Sequence, residues 1–129
     1  MIVLDASALV DVLVNQPWRD RVLDHLDQEI LAPAHQPAEV ISAMGRLARA
    51  GTISQDDVHR GLDELTSLAQ ELVLPGSREL RRAYELAERI RVLDGLYVAL
   101  AEARGCALLT TDRRLAASRP PCQVLLVEP

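Results

Sequence analysis

Short apolar runs alternate with amphipathic segments along the whole chain, and that alternation leaves few folds open. Ile2, Val3 and Leu4 form a run too short for a buried helix and read as a strand. Residues 8–14 read as a short helix, and Pro17 suits the first turn of another, with Val22, Leu23 and Leu26 on one face. Ile30, Leu31 and Ala32 make a second strand. Pro37 opens a helix carrying Val40, Met44 and Leu47, and Gly51 closes it. Ser54 with Asp57 is a capping-box pattern ahead of Val58, Leu62, Leu65 and Leu68. Leu72, Val73 and Leu74 make a third strand. Ser77 then caps a helix whose expected inner face is Leu80, Tyr84, Ala87 and Ile90. Another helix runs from about Asp94 to Arg104 and stops at Gly105. Residues 106–109 and 124–127 are the last two strands, separated by a short helix after Asp112 that ends before Pro120. Near-continuous apolar strands separated by helices imply a parallel sheet covered on both faces, an α/β fold. With 129 residues the expectation is one domain, 1–129.

Composition removes several kinds of chemistry. The chain has no Lys, so its 14 permanent side-chain cations are all Arg, set against 19 acids for a formal charge of −5. A P-loop lysine and a Schiff base are excluded. Trp18, Tyr84 and Tyr97 are its only Trp, Tyr or Phe residues, too few for base stacking to dominate nucleic-acid binding. Two Cys do not make a disulfide framework and fit a reducing cytoplasm. No apolar run spans a bilayer, and Asp5 interrupts what would be a signal peptide, so neither a membrane nor export is expected. The three His have no Cys at zinc-ligand spacing. At face value the acidity argues against a polyanionic substrate.

The placement of four acids changes that reading. In an open parallel sheet, ligands bind beyond the carboxyl ends of the strands. Asp5 follows the first strand and Asp112 lies just past the fourth, so neighbouring first and fourth strands would aim both into one crevice. Asp94 opens a helix that is apolar nearly all round, and Glu39 sits in the first turn of the helix opened by Pro37. Asp94 and Asp112 also suit helix N-caps, and Glu39 suits a helix dipole. Asp5, at the end of a buried strand, needs a partner. Without Lys, that partner is Arg or a divalent cation, and hard oxygen ligands suit Mg²⁺ or Mn²⁺.

Four segments then resemble, in order, the motifs of PIN-domain ribonucleases, in particular the VapC-type toxins of bacterial toxin–antitoxin pairs. MIVLDASALV carries Asp5 and Ser7. Pro37 to Val40 carries Glu39, LDGLYVALAE carries Asp94, and LLTTDRRL carries Thr110 and Asp112. The chain departs in having Gly95 where Ala is commoner, Ser42 where Asn is common, and no fifth acid soon after Asp112. The resemblance implies a PIN-like three-layer α/β/α fold with a five-stranded parallel sheet in the order 3-2-1-4-5. It further implies a Mg²⁺- or Mn²⁺-dependent endoribonuclease, a homodimer, and a cognate VapB-type antitoxin.

On that reading Asp5, Asp94 and Asp112 ligate the metal, and Glu39 orients or deprotonates the attacking water. Ser7 and Thr110 hydrogen-bond the carboxylates as a supporting layer. Arg82, Arg113 and Arg114 are candidate RNA contacts, from arginines that otherwise read as solvated helix faces. Tyr97 reads as core and Trp18 as core or dimer interface; His35, four residues before Glu39, is near enough in sequence to approach the site but reads first as a loop or capping residue. A receiver-type domain would need a Lys, and a haloacid-dehalogenase-type phosphatase an Asp two residues after Asp5, where Ser7 stands. The remaining alternative is a catalytically idle PIN scaffold that binds RNA or a protein.

Overall fold

The computed structural model describes residues 1–129. The elements run β1 (Ile2–Leu4), α1 (Ala6–Leu13), α2 (Arg19–Leu23), β2 (Ile30–Pro33), α3 (Gln36–Arg49), α4 (Gln55–Ser67), β3 (Glu71–Val73), α5 (Ser77–Glu85), α6 (Val92–Arg104), β4 (Ala107–Thr110), α7 (Arg113–Ala117) and β5 (Val124–Leu126). All strands are parallel, in the order β3-β2-β1-β4-β5. The fold is the three-layer α/β/α arrangement expected from the sequence.

Strand alternation divides the core in two. Ile2, Leu4, Ile30 and Leu109 face one way, against Leu9 and Leu13 of α1, Val40 and Met44 of α3 and Leu65 of α4. Val3, Leu31 and Leu108 face the other way, against Tyr97, Val98, Leu100 and Ala101 of α6 and Leu115 of α7. Helix α6 is buried along Gly95 to Ala101, as an all-apolar helix must be, and α5 covers it. Gly105 ends α6 in the left-handed region at φ 61°. No helix is long and apolar enough to cross a membrane.

Four local expectations are corrected. Helix α5 ends at Glu85, not near Ile90, and its buried residue is Ala83; Leu80 and Tyr84 lie 52% and 78% exposed. The expected face assumed one unbroken helix, whereas a run of turns carries Leu86 and Ile90 into the core separately. Gly76, not Ser77, is the N-cap of α5, and its N–H donates to Glu79 Oε2 at 3.0 Å. Strand β3 is shifted back by one residue, leaving Leu74 at the exposed edge. Asp94 is not an N-cap: α6 starts at Val92, with Arg91 in the capping position. The Ser54–Asp57 capping box forms as read. Trp18 packs on the margin of the first cluster, and its indole N–H donates to Asp11 Oδ2 at 2.9 Å.

Candidate active site

The sheet order puts β1 beside β4, with Leu4 level with Leu109, so Asp5 and Thr110 emerge together. This is the point where the sheet switches direction, with β2 and β3 to one side and β4 and β5 to the other. Asp5 starts α1 with extended backbone but does not cap it. Its Oδ2 instead accepts from Ser7 Oγ at 2.6 Å and Thr110 Oγ1 at 2.7 Å. Each hydroxyl has one proton, and each spends it on Asp5. Their lone pairs accept from the backbone N–H of Thr111 and of Asp112, at 3.2 and 3.0 Å. Ser7 and Thr110 thus tie β1, α1 and the end of β4 to a single carboxylate oxygen. Oδ1 has no hydrogen bond and stays open to the cleft. Burial pushes the Asp5 carboxyl up to about 6, against the pull of those two hydroxyls and with a further push from Asp94 and Glu39.

Glu39 projects from the first turn of α3. Its Oε1 accepts from Tyr97 Oη at 2.9 Å and lies 3.2 Å from His35 Nε2; its Oε2 accepts from Arg91 Nη2 at 3.0 Å. Burial pushes this carboxyl up, but His35, Tyr97 and Arg91 together hold it below its ordinary value. His35 Nε2 also meets the Leu93 carbonyl at 3.2 Å. Both neighbours accept only, which assigns the ring proton to Nε2. Asp94, one turn before Tyr97 on α6, receives Arg91 through Nη2 at 3.0 Å and Nε at 3.3 Å. Asp112 caps α7, its Oδ1 accepting from the N–H groups of Arg114 and Leu115 at 2.8 and 3.3 Å.

All four acids border one cleft of about 240 Å³, shared with Ser7, Asp11, Arg46 and Arg91. Arg91 neutralises two of the four acids, bridging α3 to α6 through Glu39 and Asp94, and makes no contact with Asp5. The donor set fits a hard divalent cation, being carboxylate oxygens that include the free Oδ1 of Asp5 at the cleft. No three His, Cys, Asp or Glu side chains are gathered into a ready metal cage. Arg91 donates to both oxygens of Asp94, which a cation would have to share or displace.

The PIN-domain family profile matches residues 2–119. The chain belongs to the PIN-domain family. It is 39% identical to ribonuclease VapC3 of Mycobacterium tuberculosis over 131 aligned residues, covering 96% of this chain and 91% of that one. Among solved structures, PAE2754 from Pyrobaculum aerophilum superposes with a TM-score of 0.70 at 26% identity, over 95% of this chain and 82% of that one. A toxin–antitoxin complex from Klebsiella pneumoniae superposes at 0.72 with 15% identity, covering 97% and 96%, a likeness of fold.

The candidate RNA contacts part company in this PIN domain. Arg82 is gripped by Glu102 at 2.8 and 3.1 Å and by Glu85 at 3.1 Å, on a cavity that none of the four acids lines. Arg113 pairs with Glu128 at 3.0 Å. Arg114 lines a cavity shared with Asp94 and Asp112. The sequence reading misses the part Arg91 plays, for which its spacing of three from Asp94 is the available signal. Tyr97 is fully buried, as its core reading expects, but its hydroxyl also reaches Glu39. His35 does approach the site, one turn before Glu39. Gln36, fully buried, has no sequence signal: its amide donates to the Leu4 carbonyl at 3.0 Å and pairs with Gln70, fixing where β1 ends.

Proposed function

We propose that this PIN domain is a Mg²⁺- or Mn²⁺-dependent endoribonuclease and the toxin of a type II toxin–antitoxin pair. The observation that carries the catalytic reading is the convergence of Asp5, Glu39, Asp94 and Asp112, from four separate segments, on one cleft beyond β1 and β4. The kinship to ribonuclease VapC3 supports RNA as the substrate. The VapB-type antitoxin, the homodimer and the cytoplasmic setting belong to the same reading. Self-association has apolar surface available in Leu80 and Tyr84, one turn apart on α5.

Asp5, through its open Oδ1, with Asp94 and Asp112, would hold the cation. When bound, it would lower the pKa of a coordinated water and stabilise charge on the phosphate oxygens. Ser7 and Thr110 keep Asp5 pointed and remove one of its oxygens from competition. Glu39 receives three donors and lies below the ordinary carboxylate range, so it is ionised at neutral pH and a weak base. Its work is to orient the attacking water. Arg91 balances Glu39 and Asp94 at the rim, where its side chain is 62% exposed, and a cation drawing on Asp94 would leave its contact with Glu39 in place.

The test is RNA cleavage by the purified chain with Mn²⁺, with chelator, and as Asp5→Asn. Cleavage that needs the metal, and falls at least about a hundredfold in Asp5→Asn with the circular dichroism unchanged, is expected. Full metal-dependent cleavage by Asp5→Asn overturns the assignment. RNA binding without product under every metal condition supports the idle scaffold.

A further inference from the structure

Beside the acid cleft lies a second cavity of about 410 Å³, bordered by Arg89, Arg91, Arg114 and Ser118 and sharing Asp94 and Asp112 with the first. We propose that this cavity is a subsite for the RNA backbone phosphate next to the scissile one, an inference that rests on the ribonuclease reading above.

A chain at −5 binds a polyanion only through cations that its own acids leave free. Five of the 14 arginines are neutralised by ion pairs. Arg19, Arg60, Arg82 and Arg113 each form an ion pair, and Arg91 is held by Glu39 and Asp94. Arg114 makes no ion pair and no side-chain hydrogen bond, although α7 sets it two residues from Asp112. Arg89 donates only to neutral acceptors, Nε to the Ser118 carbonyl at 3.2 Å and Nη2 to the Arg119 carbonyl at 3.0 Å. Those two bonds position the guanidinium without cancelling its charge, and they leave Nη1 uncommitted. Two uncompensated guanidinium groups therefore line a cavity that opens onto the reacting site.

The geometry also separates the roles of the two cavities. The acid cleft has five carboxylates against Arg46 and Arg91, and repels phosphate unless a cation is bound. The neighbouring cavity carries Arg89 and Arg114 free of ion pairs, so it can receive a phosphate on guanidinium groups alone. Arg91 borders both and is held there by Glu39 and Asp94. Guanidinium groups suit a phosphodiester because they donate paired hydrogen bonds to its oxygens. RNA anchored there would carry its neighbouring phosphate across Asp112 and Asp94.

The experiment uses full-length Asp5→Asn protein and a fluorescein-labelled single-stranded oligoribonucleotide, read by anisotropy over a range of salt. Adding Arg89→Gln or Arg114→Gln should each weaken binding about tenfold, the loss of one charge-assisted contact. Each should also reduce the slope of log affinity against log salt by about 0.7. Arg78→Gln, which removes the same charge from the cavity around Arg82, should leave both quantities where they were. Losses no larger than that of Arg78→Gln, in proteins with unchanged melting temperature, overturn the subsite. In the otherwise native enzyme, Arg114→Gln should lower kcat/KM on the oligoribonucleotide about tenfold more than on a dinucleoside monophosphate, which has one phosphate. Equal losses on both substrates would place Arg114 at the reacting phosphate and also overturn it. A native chain that neither binds nor cleaves RNA overturns the ribonuclease reading itself, a result distinct from either.

Discussion

At the scale of single residues, the site is organised around the cost of burying Asp5. Its carboxyl is only 4% exposed and is pushed up to about 6 from an ordinary 3.8. The folded state thus holds the Asp5 proton more tightly than the unfolded state does. The penalty of ionised Asp5 is present in full above pH 6 and is relieved as the pH falls from 6 toward 4. In chelator, Asp5→Asn should therefore melt higher than the native chain at neutral pH, by no more than about 3 kcal/mol. The gain should vanish as the pH approaches 4, and thermal melts across that range check it. Asn Oδ1 can accept from Ser7 and Thr110 as Asp does, so the supporting bonds survive. A higher melting temperature with lost cleavage would mark Asp5 as a residue held at a stability cost for function. The acid was legible in the sequence, as was its need for a partner. Arg91 and Tyr97 around Glu39 were not, because they meet it across 52 and 58 residues only after helices have packed.

At the scale of elements, the pair α5 and α6 shows where periodicity stops being informative. A continuous helical pattern through Leu80, Tyr84, Ala87 and Ile90 was a fair reading, yet α5 ends at Glu85 and turns Ala83 inward. The reason is close approach. A Cβ on Gly95 would lie 3.2 Å from Ala83 Cα and 3.4 Å from its carbonyl oxygen, so the two smallest side chains set the contact. Gly95→Ala gains helix propensity of up to ~1 kcal/mol but must displace backbone, and overpacking typically costs about 1–3 kcal/mol. The variant should be destabilised by about 1 kcal/mol in denaturant titration. Because Asp94 adjoins Gly95, weaker divalent-cation binding should accompany it. Other elements were legible because their signals are local. Examples are the Ser54 capping box, Gly105 at the end of α6, and Asp112 as the cap of α7.

At the scale of the whole molecule, setting aside Asp5, Glu39, Asp94 and Asp112 leaves a formal charge of −1 from −5, so the candidate metal site accounts for most of the acidity. A divalent cation that binds only the folded chain should stabilise it, by about 2.7 kcal/mol at a hundred times Kd. Thermal melts with Mn²⁺ should show that rise, and a variant with Asp5, Asp94 and Asp112 all changed to Asn should not. RNA affinity should likewise rise with Mn²⁺ beyond the contribution of Arg89 and Arg114, because the cation converts the repelling cleft into an attracting one. The sequence by itself determined the class of fold, since alternating short apolar runs and amphipathic segments can be buried only as a covered parallel sheet. It also determined which acids were available and that Lys could not answer them, since these are matters of residue identity and order. Only the tertiary structure decided that Arg91 answers Glu39 and Asp94, and that Arg82 is occupied elsewhere while Arg114 is free. Those outcomes depend on distances between segments far apart in the chain, and such distances exist only once both faces of the sheet are covered.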